Sequence, residues 1–114
     1  MNVGEFEVAD LVDQVSLCQS VFDKSDKIAT MVCSFKGGAV TLESEGLYGT
    51  MRTKCETVSG VGEEMEICIS SRFLYSYLRL IKDETIRVSC FGDSTLYLGE
   101  GSRCAGIQKS TRLN

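Results

Sequence analysis

Between Gly62 and Val88 the run GEEMEICISSRFLYSYLRLIKDETIRV changes its apolar period twice. Met65 to Ile69 is a short strand-like run. Ser70 and Ser71 follow, and either hydroxyl can accept from the free N–H groups of a first helical turn. Phe73, Leu74, Tyr77, Leu78 and Ile81 then fall at i, i+1, i+4, i+5 and i+8. That spacing predicts a half-buried helix over Ser71 to Ile81. Its opposite face carries Arg72, Tyr75, Ser76, Arg79 and Lys82. A β-rich run starts at Thr85.

The N-terminal half has the same order. Glu5 to Val8 alternates as a strand, and from Ala9 to Phe22 the residues Leu11, Val12, Val15, Cys18 and Phe22 lie at helical spacing, with Asp10, Asp13, Gln14, Leu17 and Ser20 opposite. Strands are expected at Ile28 to Phe35, Ala39 to Glu45 and Leu47 to Thr57, with turns at Gly37-Gly38 and Glu45-Gly46. Ser59 to Gly62 reads as a linker. After the second helix come strands at Thr85 to Phe91, Ser94 to Leu98 and Ser102 to Gln108, with turns at Gly92-Asp93 and Gly99-Glu100-Gly101. VCSFKGGAVTLESEG (Val32 to Gly46) resembles VSCFGDSTLYLGEG (Val88 to Gly101). The chain therefore reads as a duplicated β-α-β-β-β unit, with halves at about residues 1–58 and 62–114. Neither half can bury its apolar faces alone. Two halves can close around one core through a pseudo-two-fold axis, giving a single α+β domain over residues 1–114 with two helices packed on antiparallel sheets.

Composition narrows the functional classes. With 114 residues, 43% apolar and 25% charged, the chain has the make-up of one globular domain. No apolar run approaches the length of a membrane span. The acidic N-terminus MNVGEFEVAD lacks a secretory signal, so a cytoplasmic location is expected. The six cysteines form no CxxC pair and the chain has no histidine. They are expected as buried thiols, with neither metal nor cofactor, and Ser-His-Asp and Cys-His catalysis are excluded. Ser59 to Gly62 lacks the Lys-Ser/Thr of a phosphate loop. Glu43 with Glu45, and Glu63 with Glu64 and Glu66, read as solvated sheet carboxylates. A net charge of −4 excludes a uniformly basic nucleic-acid binder and leaves room for a locally basic face.

The order of elements and the run GEEMEICISSRFLYSYLRLIK resemble a DNA sliding clamp, most of all the C-terminal domain of the bacterial DNA polymerase III β subunit. The residues that carry the likeness are Gly62, Glu64, Met65, Glu66, Ile67, Ser70, Phe73 and Leu74, with the terminal pair Arg112-Leu113. In that family six such domains close into a ring, with helices lining the hole and sheets outside. The ring encircles duplex DNA and tethers a polymerase without being an enzyme. Loose phosphate electrostatics suits sliding, because no base edge is read.

The resemblance implies DNA-facing residues Arg72, Tyr75, Arg79 and Lys82, against which stands the plainer reading of a solvated helix face. It also implies a partner-binding groove at Phe73, Leu98, Ile107 and Arg112, although Phe73, Leu98 and Ile107 also fit a core. Three departures stand out. The first helix carries Asp10 and Asp13 where phosphates would sit. Lys109, Ser110 and Thr111 replace the Met-Pro-Met type sequence of the family's groove. The chain has one domain where bacterial clamps have three. It begins with Met and a complete first strand, so it is expected to be more than an arbitrary truncation. A piece of a longer clamp is the remaining alternative.

Two functions follow as expectations. One is a clamp-like protein of the replication machinery that tethers at DNA and self-associates through strand edges at Leu47 to Thr57 and Ser102 to Gln108. The other is a single-domain clamp mimic, encoded by a phage, that binds and inhibits a host protein complex. Duplex DNA and a protein partner (a polymerase, a clamp or another nucleic-acid machine) are the candidate partners.

Overall fold

A computed structural model describes residues 2–59, 62–91 and 94–110. The elements are β1 (Asn2–Glu7), α1 (Val8–Gln19), β2 (Thr30–Lys36), β3 (Ala39–Gly46), β4 (Gly49–Ser59), β5 (Met65–Ser70), α2 (Ser71–Leu78), β6 (Thr85–Phe91), β7 (Thr95–Leu98) and β8 (Ala105–Gln108), with a 3-10 turn at Gly101–Arg103. The strands form an eight-stranded antiparallel sheet in the order β5-β2-β3-β4-β1-β6-β7-β8.

That order makes the duplication explicit. Renumbering β1–β4 as β5–β8 turns β5-β2-β3-β4 into β1-β6-β7-β8. The first strand of each half therefore sits in the other half's sheet, β1 on β6 and β5 on β2. Neither half can form its four-stranded layer without the other. The two layers meet where β1 pairs with β4 through Glu5↔Ser59 and Phe6↔Thr57. At the opposite junction β5 and β8 form no ladder among the described residues. The Ser110 N–H reaches the Cys68 carbonyl at 2.8 Å, and the Thr30 and Ser110 hydroxyls meet at 3.0 Å, so the sheet is nearly closed. Gly4 has φ +139°, and a Cβ there would lie 2.6 Å from Thr57 Cγ2, so this crossing of β1 over β4 requires glycine.

The core takes Phe6, Val15, Cys18, Met31, Cys33, Leu42, Cys55, Ile67, Ile69, Leu78 and Leu98 from both halves. Phe6 and Phe35 pack edge to face with centroids 6.0 Å apart. A second, smaller cluster joins Val21, Phe22 and Ala29 under Met51.

Several boundaries differ from the sequence expectation. α1 stops at Gln19, because the Ser20 hydroxyl and N–H both turn back onto the Leu17 carbonyl. Phe22 consequently leaves the helix and fills the smaller cluster. α2 stops at Leu78, and i→i−3 bonds from Leu80 and Ile81 tighten its end. Ser70 is its N-cap, accepting from the Phe73 N–H at 3.3 Å. The turn expected at Glu45-Gly46 lies at Leu47-Tyr48, closed by the Gly46↔Gly49 pair. Ser102 to Cys104 does not join β8. The Gly92-Asp93 turn and the Gly60-Val61 part of the linker lie outside the described residues.

Candidate interaction surfaces

α1 and α2 lie side by side, the C-terminus of α1 beside the N-terminus of α2. Gln19 Nε2 donates to the Ser71 carbonyl at 3.1 Å. Arg72 Nη1 donates to Gln19 Oε1 at 2.8 Å, and its Nε and Nη2 reach the Asp26 and Asp23 carbonyls at 3.4 Å. Arg72, expected on a free face, is thus half-buried and ties both helices to the loop after α1. The fork of the guanidinium suits three acceptors on different segments.

α2 is also rotated from the expected phase. Its buried positions are Ser71, Leu74 and Leu78, at i, i+3 and i+7. A serine thus takes one of the buried positions beside Leu74 and Leu78. Phe73, expected on the apolar side, is 67% exposed, whereas Tyr75, expected outside, packs against the core. Arg79 lies 5.6 Å from the Tyr75 ring in a cation–π contact. Arg79 and Lys82 are exposed. Of the groove residues, Leu98 and Ile107 are buried in the core, Phe73 is at the surface, and Arg112 lies outside the described residues.

The outward face of α1 offers Ala9, Asp13, Ser16, Leu17 and Ser20. Asp10 is drawn sideways. Gln14 Nε2 donates to one of its oxygens at 3.0 Å and the Cys55 thiol donates to the other at 3.1 Å. Burial, with the Asp10 carboxylate beside it, pushes the Cys55 thiol far up. Burial raises Cys18 and Cys33 too, and lifts Cys90 from 9.0 to about 11. These thiols stay protonated and act as small core hydrophobes. Among the described residues no group of three or more His, Cys, Asp or Glu side chains could hold a metal ion, and no helix is long and apolar enough to cross a membrane.

Among the described pairs, strand edges without a ladder partner include the side of β4 away from β3 over residues 49–56, the side of β8 away from β7 and the side of β5 away from β2.

Two hollows occupy equivalent places in the two halves, each between the loop after a helix and the connection joining the last two strands. In the second half a cavity of about 730 Å³ is lined by Tyr77, Ile81, Lys82, Asp83, Arg87, Glu100 and Arg103, among others. Arg87 pairs there with Glu100 at 2.8 Å and Arg103 with Asp83 at 3.9 Å. In the first half a hollow of about 620 Å³ is bounded by Asp23, Ser25, Asp26, Lys27, Ile28, Glu45, Gly46 and Leu47. Sequence reasoning passed over Leu47 and Tyr48 as strand residues. The available signal was an apolar pair flanked by glycines, GLYG, where turn chemistry favours Gly, Asn or Asp.

No protein-family model matches the chain, and no curated protein matches it in sequence. Solved structures do match. The Helicobacter pylori β clamp in complex with carprofen superimposes with a TM-score of 0.82 at 16% identity over 97% of this chain. The Pseudomonas aeruginosa DNA polymerase III subunit β gives 0.80 at 14% over 96%. The Helicobacter pylori β clamp bound to a DNA ligase peptide gives 0.77 at 14% over 96%. The chain spans only about 30% of the length of these clamps. Its duplicated β-α-β-β-β architecture, with paired helices and exchanged first strands, is the fold of a DNA sliding-clamp domain.

Proposed function

We propose that this domain is a sliding-clamp-like protein of the replication machinery, acting at DNA by tethering and protein contact rather than by catalysis. The observation that supports it is a near-complete match to one domain of bacterial clamps, over 92–97% of this chain. The open edges of β4 and β8 are suited to pairing between copies, since unpaired N–H and C=O groups template another strand. Arg79 and Lys82 are the cations this reading sets toward duplex phosphates, with Tyr75 holding Arg79. Arg72 then acts one step back, by fixing the helices that carry the face. The location this implies is cytoplasmic.

The test couples light scattering to retention on nicked circular and linear plasmid. A concentration-dependent oligomer, held on circles and lost from linear DNA, is expected. A strict monomer without retention refutes the proposal.

The charge of α1 favours a second reading. Its outward face has Asp13 and no cation, which opposes a phosphate lining by direct repulsion. A single-domain clamp mimic, phage-encoded, that binds and inhibits a host protein complex needs no such lining. A monomer that stalls a reconstituted replication reaction without binding DNA would establish that reading instead.

A further inference from the structure

The outward faces of the two helices differ in charge, and both expose apolar side chains. α1 presents Asp13 and Leu17, the latter 48% exposed, while α2 presents Phe73 and, at its end, Arg79. Neither Asp13 nor Arg79 has an ion-pair partner among the described residues. The helices run in opposite senses. The Val8 N–H at the start of α1 donates to the Glu84 carbonyl beyond α2 at 2.8 Å, and the Ser71 N–H at the start of α2 donates to the Ala29 carbonyl beyond α1 at 3.0 Å. Gln19 is bonded to both Ser71 and Arg72. Equal steps back from Gln19 and on from Arg72, at about 1.5 Å per residue, put Leu17 level with Leu74 and Asp13 level with Leu78. Leu17 thus lies within one residue of the level of Phe73, and Asp13 within one of Arg79.

We propose that this face docks a second copy of the chain, helix layer on helix layer, about a two-fold axis that runs along the helices. That axis keeps every residue at its level and sets α1 of one copy on α2 of the other. Leu17 then meets Phe73 of the second copy, and Asp13 meets Arg79 of the second copy, each contact being made twice. Charge selects this arrangement. A two-fold axis across the helices sets α1 on α1 and α2 on α2, which brings like charges together. Charge also selects the occupant. A phosphate backbone is met by Arg79 and opposed by Asp13, whereas a second copy satisfies both. The Tyr75 ring positions the cation in advance. Area sets the strength. α1 has 12 residues, so two helices side by side cover roughly 18 by 20 Å, and the contact takes about 700 Å² from the two copies together. A contact of that size makes a weak, exchanging dimer. The dimer covers Arg79, so it and the DNA contact of the proposed function are alternative states of one face. The inference needs neither DNA nor strand-edge pairing, so its failure and the failure of that function are separate.

The test is sedimentation velocity of the whole chain without DNA, from micromolar to millimolar concentration. A monomer–dimer equilibrium is expected. Asp13→Arg alone and Arg79→Glu alone should each weaken it about tenfold, because each sets like charges together at two places. Combined in one chain, the two reversals restore complementarity and should return the affinity to within about threefold of wild type. Leu17→Ser with Phe73→Ser should leave only monomer. All four side chains are exposed, and circular dichroism checks that each variant keeps the wild-type spectrum. A monomer throughout, a dimer that the single reversals leave unchanged, or a double reversal no tighter than the singles overturns the proposal. An oligomer that survives Leu17→Ser with Phe73→Ser overturns it too, and places self-association at the strand edges.

Discussion

Replacing Arg72 by alanine separates a structural tie from a DNA contact. The guanidinium makes one well-formed bond at 2.8 Å to Gln19 and two long ones at 3.4 Å to the Asp23 and Asp26 carbonyls. All three acceptors lie outside α2, so the side chain joins α2 to the end of α1 and the loop after it. A charge-assisted bond in a half-buried setting contributes about 1.5–3 kcal/mol, and the two long bonds add little. The expected loss for Arg72→Ala is therefore about 2 kcal/mol, or roughly 8 °C in Tm for a domain of this size. Arg72→Lys is expected to recover less than half of it, because an ammonium on a flexible stem cannot span three segments. Thermal unfolding followed by circular dichroism gives the Tm. Amide exchange adds a local readout, since the Ala29 amide sits on the loosened loop and the Ser71 amide donates to the Ala29 carbonyl, so both should lose protection first. DNA retention in folded Arg72→Ala should match wild type, whereas Arg79→Ala with Lys82→Ala should lower it and reduce its salt slope by about 2. An Arg72→Ala variant that melts with wild type and loses DNA as Arg79→Ala does would refute the assignment.

Three further outcomes follow from single contacts. A Cβ on Gly46 would collide with the Val21 carbonyl, so Gly46→Ala should cost about 1–3 kcal/mol in urea unfolding. Gly37→Asn should be near neutral by the same assay, because Gly37 faces open space at φ +62°, a region asparagine tolerates. Ser71 is fully buried and its hydroxyl has no partner, so Ser71→Ala should stabilise by about 1 kcal/mol; a clear loss would mean that the hydroxyl is satisfied in solution. Stability should fall as pH rises above 9.0, where unfolded thiols ionise, and the Cys90 contribution should be exhausted near its folded value of about 11. The native state binds the extra proton in that window, so each raised thiol lowers stability by up to about 1.4 kcal/mol per pH unit. Unfolding monitored at alkaline pH with and without Cys90→Ala checks this, and identical pH slopes would contradict it.

The periodicity of the sequence carried the element order and the duplication, because both helices and most strands are amphipathic over several residues. It did not carry phase where packing is made by a small polar residue. Ser71 belongs to the buried stripe of α2 with Leu74 and Leu78, so a count of large apolar side chains turned the helix the wrong way and moved Phe73 inward and Tyr75 outward. Arg72 was unreadable for a related reason. Its partners, Gln19, Asp23 and Asp26, lie about fifty residues away, and nothing local marks a long-range tie. The exchange of first strands was equally hidden, since β1 and β5 have the same pattern and either could pair within its own half.

The same duplication constrains what the surface can do. Counting from the strand–helix junctions, Asp10 of α1 corresponds to Phe73 of α2. One is held beside β4 by Cys55, while the other is 67% exposed. A carboxylate in the first half thus stands where the second half has an exposed ring. α1 turns Asp13 outward and no cation, whereas Arg79 at the end of α2 and Lys82 after it are exposed. The two halves of the helix layer are therefore unlike in charge as well as in apolar exposure, although their periodicity builds the same elements.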